Sequence, residues 1–183
     1  MKEVSIRSDM VINPFLNKRA RSNILIMVKV MVRKLDFVIR EINTLDLEKG
    51  FFDTLYNLSV VGNISNEIKR GTKLFGDIKS NPLYKIFVAI KDNKEVIGSI
   101  TILMEQKFIH NGGRVGHIED VVTRKGYESK GVGSALVRVA LEYAQRMKCY
   151  KVILSCSEKN VPFYERIGFK KHETSMRYDL NET

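Results

Sequence analysis

Cysteine is scarce in this 183-residue chain: Cys149 and Cys156 are the only two. Two isolated thiols make neither a disulfide framework nor a four-ligand zinc site. They read as small buried side chains in a reducing compartment, of which the cytoplasm is the simplest. The three histidines, His110, His117 and His172, keep no metal-ligand spacing with one another or with the cysteines, so no metal centre is expected. Long apolar runs are missing as well. No stretch reaches the roughly 18 consecutive apolar residues of a spanning helix, and no internal repeat or low-complexity segment stands out. Hydrophobic residues make up 44% and charged residues 28%. Those proportions exclude a disordered chain, a collagen-like repeat and a disulfide-rich secreted scaffold. A chain of this size buries roughly 70% of its unfolded surface without covalent staples.

The net charge of +10 is unevenly placed. Nine of the 31 basic and three of the 21 acidic residues fall within residues 1–40, leaving +6 there and only +4 over the remainder. The basic excess belongs mostly to the N-terminal segment, which disfavours a nucleic-acid-binding body. Residues 1–35 combine the cluster Lys18-Arg19-Ala20-Arg21 with an interrupted apolar run, Ile24–Val32, that is too short and too charged to cross a bilayer. Lys29, Arg33 and Lys34 stand where a signal peptide needs small residues. Residues 1–35 are expected to be a basic extension dispensable for activity, and residues 36–183 one domain.

Phe37–Arg40 reads as a short strand. Asn43 or Thr44 caps a helix over about Leu47–Leu58, and Ser65 caps a second that ends before Asn81-Pro82. Tyr84–Ile90 and Val96–Met104 are strands joined by Asp92-Asn93-Lys94, and Asn111-Gly112-Gly113 turns the chain into a strand over Val115–Val122. In a helix over about Val132–Lys148, Leu136, Val139-Ala140, Tyr143 and Met147 recur at core spacing. Val152–Cys156 is a buried-type strand, Val161–Ile167 a short helix with Pro162 in its first turn and Gly168 at its end, and residues 170–180 a last strand or hairpin. The order β-α-α-β-β-β-α-β-α-β is that of an α/β protein with a mostly antiparallel sheet.

Gly131-Val132-Gly133 lies between a predicted strand and a predicted helix. Two glycines let backbone approach a ligand, the helix start offers unpaired N–H groups, and Lys130 adds a cation, an arrangement that suits a pyrophosphate. No Walker Lys-Ser/Thr follows and no third glycine completes a dinucleotide fingerprint, which disfavours a nucleotide hydrolase and a Rossmann dehydrogenase.

This loop, its helix, the next strand and Asn160-x-x-Phe163-Tyr164-Glu165-x-x-Gly168-Phe169 resemble the GCN5-related N-acetyltransferase (GNAT) superfamily. Gly116-His117-Ile118-Glu119-Asp120-Val121-Val122, Cys149-Tyr150-Lys151, Lys107-Phe108-Ile109-His110 and Leu58-Ser59-Val60-Val61-Gly62 narrow the resemblance to its glucosamine 6-phosphate N-acetyltransferase family, over about residues 37–178. The resemblance implies an acyl-CoA N-acyltransferase fold, a mixed, mostly antiparallel sheet flanked by helices. It also implies direct attack of a sugar amine on the thioester of acetyl-CoA within a ternary complex.

The resemblance assigns cofactor contacts to the strand amides of Asp120, Val121 and Val122, to the loop Glu128, Ser129, Lys130, Gly131, Val132 and Gly133, and to Ser155, Asn160, Phe163 and Tyr164. It makes Tyr164 the acid for the leaving thiolate; read alone, Tyr164 is equally a core tyrosine beside Phe163. Glu119 and Asp120 would orient the amine or relay its proton. As neighbours in a regular strand they point to opposite faces, so both reach one cleft only across a bulge; the alternative is a buried pair satisfied by backbone donors. Ser59, Lys107, His110, Glu119, Tyr150, Lys151 and Arg177 would hold the sugar phosphate, the Tyr-Lys pair coming from a partner subunit in a homodimer. Three departures stand out: Glu128 replaces a Gln or Arg and is expected to repel phosphate, Ser155 replaces an Asp, and Arg177 only approximates a C-terminal arginine. A protein-lysine or polyamine acceptor is therefore the alternative on the same fold, and a basic nucleic-acid-binding module the alternative of another class.

Overall fold

The computed structural model describes residues 36–65 and 67–180; the segment 1–35 lies outside the described residues. Among the described residues, five strands form one sheet in sequence order: β1 (Phe37–Glu41), β2 (Tyr84–Lys91), β3 (Glu95–Gln106), β4 (Arg114–Thr123) and β5 (Cys149–Ile153). The first four pair antiparallel and β5 runs parallel to β4. The β2–β3 hairpin closes as expected, with Asp92 (φ 50°) and Asn93 (φ 57°) in the left-handed conformation that matches strand twist.

Alternation along the strands feeds two cores. Phe87, Ile100, Ile102 and Ile118 face the long helix α3 (Val132–Arg146), whose Leu136, Val139 and Ala140 are buried against them. Full burial of a side chain such as Leu136 stabilises by about 1.5–3 kcal/mol. The opposite face carries Ile86, Val88 and Ile90 under Phe51 and Phe52 of α1 (Phe51–Leu55) and Phe75 of α2 (Ile68–Ser80).

Four expectations change. The helix expected over Leu47–Leu58 is two pieces, a 3₁₀ turn Thr44–Glu48 and α1, because Gly50 takes a left-handed φ of 82° between them. Asn43 does cap the first piece, in a capping box with Asp46, and Asp46 is buried in a two-pronged pair with Arg40 at 2.6 and 2.7 Å. Ser65 caps nothing: its hydroxyl is taken by Gly62 O and Tyr56, and α2 starts after Glu67 without a side-chain cap. The last expected strands also shift. β5 spans Cys149–Ile153, only part-buried, and residues 170–180 form no strand. Among the described residues β5 is the sheet's edge, and no described strand pairs with its outer side. Finally, Cys156 is exposed, and only Cys149 is part-buried, with its thiol against Met104 Sδ at 3.2 Å.

Candidate active site

β4 carries the site. Its parallel pairing to β5 stops at His117 and Ile153, so Ile118–Thr123 leave β5 behind and open a cleft on that side. In the same stretch β4 bulges against β3: Thr101 faces Glu119, but Ser99 faces Val122, so two steps on β3 oppose three on β4. Asp120 absorbs the extra residue at φ 50°. Glu119 and Asp120 are consequently both exposed, as only a bulge allows. The alternative of a buried, backbone-satisfied pair does not hold.

At the end of β4 the chain enters the loop Arg124–Gly131, held down from several sides. Arg124 lies between Asp53 and Glu95, and the Tyr127 hydroxyl donates to Glu95 at 2.7 Å. That bond, with burial, raises the Tyr127 phenol above its usual range. Lys130 packs over the Tyr127 ring at 4.9 Å. Gly131, at φ 85°, leads directly into α3. Among the described residues, the loop's own backbone hydrogen bonds use the N–H groups of Arg124, Tyr127 and Ala135 and none from Ser129 to Ser134. Unclaimed amides at the head of a long helix, with a lysine beside them, form an anion cradle, and that donor set fits a pyrophosphate.

Tyr164 lies in α4 (Val161–Glu165), beyond β5. Its ring packs edge-on against Phe163 (4.9 Å) and Phe169 (5.8 Å). Burial, with Cys156 nearby, raises its phenol above the usual range, so the hydroxyl keeps its proton through the neutral range. Phe163 also reaches the helix start, close to Gly133. Asn160 stands directly before α4, and Ser155 is exposed just past β5, 3.4 Å from Ser175.

Antiparallel pairing puts Glu105, His117, Thr101 and Glu119 on one face of the sheet. Glu105 accepts from both Lys107 and His117 (2.9 Å to the latter), and these bonds hold its carboxyl below the usual range. Lys107 thus sits on the face that carries Glu119, with His117 between. One element further out, the turn Ile109–Gly112 is left-handed at His110 and Asn111, and His110 stacks on Tyr150 at 4.2 Å. Lys151 is exposed on the β5 edge. Ser59 lies past α1 on the surface, and Arg177 pairs with Asp179 on the exposed C-terminal segment rather than with any cleft residue. Among the predicted set, Glu119, Asp120, Val121, Val122 and the loop residues line β4 and its exit, and Lys107 joins them. Tyr150 packs on His110, Lys151 is exposed and Arg177 pairs with Asp179, and among the described residues none of the three bonds to Glu119 or Asp120.

Two residues of the site were not foreseen. Tyr84 on β2 lies beside Thr101, and its phenol is raised by burial and by the charges of Asp120 and Glu119. Glu105 organises Lys107 and His117. Only strand register brings Tyr84 near Glu119 and Glu105 to His117, though period-two alternation in β3 and β4 was a visible hint.

A parted pair of parallel strands, a bulged acidic centre and an amide cradle at a helix start define an acyl-carrier-dependent acyltransferase. Residues 52–169 match the acetyltransferase (GNAT) family model. The glucosamine 6-phosphate N-acetyltransferase of Candida albicans is 37% identical over 141 residues, 76% of this chain and 93% of that protein. That of Trypanosoma brucei brucei is 47% identical over 85 residues; the match spans 46% of this chain and 58% of that protein's length. The crystal structure of glucosamine-6-phosphate N-acetyltransferase from Arabidopsis thaliana superposes with a TM-score of 0.74 at 32% identity, covering 79% of this chain and 99% of that one. The chain belongs to the acetyltransferase (GNAT) family, and it is an acetyl-CoA-dependent N-acetyltransferase.

Proposed function

We propose that the protein moves the acetyl group of acetyl-CoA to the amine of glucosamine 6-phosphate. The observation that carries this reading is the bulge at Asp120, which turns two adjacent carboxylates outward where β4 leaves β5, on the face that also bears Lys107. A cationic amine and an anionic phosphate at opposite ends of one small molecule fit that distribution of charge. The relatives of this name at 32–37% identity, each with more than nine-tenths of its length aligned, support the same acceptor.

Acetyl-CoA supplies an activated thioester. The chain's residues do the rest. The N–H groups from Ser129 to Ser134, with Lys130, hold the pyrophosphate. The unpaired side of Asp120, Val121 and Val122 offers backbone donors and acceptors to the carrier arm and the acyl oxygen, while Asn160, Phe163 and Ser155 line its other side. Glu119 and Asp120 draw in the ammonium and take its proton, leaving a neutral nucleophile at short range. Ser155 offers a hydroxyl and no charge, so that duty falls on the two β4 carboxylates. Tyr164, kept protonated by its burial, donates to the sulfur as the thiolate departs.

Lys107 faces the phosphate, and Tyr150 and Lys151, with the His110 that stacks on Tyr150 in the same chain, reach it from a second copy of the chain. A homodimer is supported by what the described residues leave uncovered: the outer edge of β5, and Phe108, Met176, Tyr178 and Leu180, all more than 80% exposed. Sedimentation equilibrium should give twice the chain mass. No described helix is long and apolar enough to cross a membrane, and acetyl-CoA chemistry beside two free thiols suits the cytoplasm. A protein-lysine or polyamine acceptor is the second reading, favoured by Ser155 and by Arg177 turning to Asp179. Thiol release with glucosamine 6-phosphate, and none with a lysine peptide or spermidine, would decide for the sugar.

A further inference from the structure

Glu128 occupies the loop position expected to weaken phosphate binding, yet its carboxylate is already engaged. Oε2 accepts from the Gly126 N–H at 2.6 Å, and Oε1 lies 3.3 Å from Asn57 Nδ2. The same Asn57 amide donates to the Thr123 carbonyl at 2.7 Å. Asn57 thus joins the turn after α1 both to the last residue of β4 and to Glu128. Hydrogen bonds from backbone N–H groups and from Asn57 hold the Glu128 carboxyl below its usual range. The N–H groups it uses lie upstream of the Ser129–Ser134 cradle, so it competes for none of those.

Backbone conformation marks where this hold is needed. Ser129 follows Glu128 with φ 59° and Gly126 precedes it with φ 88°. A non-glycine residue in the left-handed region costs on the order of 1 kcal/mol and persists only when its surroundings over-determine it. Ser129 opens the row of free amides, so whatever fixes it aims them.

We infer that Glu128 and Asn57 are positioning residues that form a latch, which shapes the loop from within and thereby tightens its grip on the CoA pyrophosphate. This rests on reading the Ser129–Ser134 amides as the pyrophosphate cradle. The latch explains how an acid is accommodated there: its negative charge faces the loop's own donors rather than the ligand. It also ties the cofactor loop to the end of α1, next to Ser59.

The test is CoA binding by calorimetry on the full chain, together with steady-state thiol release. Glu128→Ala should weaken CoA about threefold to tenfold, the range of a solvent-facing charged hydrogen bond. KM for acetyl-CoA should rise by the same factor, with kcat at saturation within about twofold. Asn57→Ala should act in the same direction. The double variant should lose less than the sum of the two single losses, because both break the Asn57–Glu128 bond while only Asn57→Ala removes the bond to Thr123. Glu128→Gln keeps an acceptor oxygen for Gly126 and should recover most of the affinity. Tighter or unchanged CoA binding in Glu128→Ala, or strictly additive losses, overturns the latch. If Glu128→Ala does not fold, Asn57→Ala decides, and wild-type affinity there overturns it equally. Gly133→Asp, which sets an anion in the cradle itself, should abolish CoA binding. Unimpaired binding in that variant would refute the cradle rather than the latch.

Discussion

Replacing Tyr164 with phenylalanine removes one hydroxyl and little else. The ring sits between Phe163 and Phe169, and Phe keeps those edge-on contacts. A lost hydroxyl interaction costs at most about 1 kcal/mol, so Tm should move by no more than about 4 °C for a chain of this size. The chemical step should suffer far more. A positioned acid contributes about 10²–10⁴-fold, and a thiolate leaves readily, which puts Tyr164→Phe at the low end. The expected loss in kcat is about 100-fold, or about 2.7 kcal/mol of barrier. KM for acetyl-CoA should change less than about threefold. Because burial raises the Tyr164 phenol, the wild-type rate should not fall from its ionisation until the pH exceeds the ordinary phenol range, and the variant should lack that alkaline limb. The assay is thiol release followed across pH. Unchanged kcat, or a loss matched by a collapse in Tm, would refute the assignment.

Lys151→Ala should raise KM for glucosamine 6-phosphate about five- to tenfold while sparing acetyl-CoA, as expected for a charged hydrogen bond to phosphate; equal effects on both substrates would contradict a phosphate contact. Asp46→Ala strips Arg40 of its buried partner and should cost about 3 kcal/mol, a fall in Tm of about 6–12 °C that differential scanning calorimetry can read. Glu105 and Glu128 both have depressed carboxyl pKa values from hydrogen bonds they accept. Their contributions are intact above the ordinary carboxylate range and fade as pH falls through the depressed values. Thermal stability should therefore be flat near neutrality and drop on the acid side, with a shallower drop in Glu105→Gln.

Much of this site is legible in the sequence. The Gly131-Val132-Gly133 break, the core stripe of α3 and the β2–β3 turn depend on local chemistry, and each stands where the pattern put it. The need for a bulge at Glu119-Asp120 followed from strand geometry alone, and Asp120 supplies it. What stayed hidden depends on register and on long-range partners. Asn57 meets Glu128 across 71 positions of sequence, and Glu105 reaches His117 only through the β3–β4 pairing. Gly50 splits a helix that apolar spacing alone would run through, because spacing carries no information about a left-handed φ. The strand or hairpin expected over residues 170–180 does not form, because pairing is set by register with a distant partner, which local alternation does not carry.

The most direct measurement is acetyl-CoA-dependent thiol release by the purified protein, offered glucosamine 6-phosphate, glucosamine and a lysine peptide in parallel. The phosphorylated sugar should turn over saturably, the bare sugar should saturate severalfold more weakly, and the peptide should not turn over. CoA binding with no turnover of the phosphorylated sugar, or faster turnover of the peptide, would contradict it.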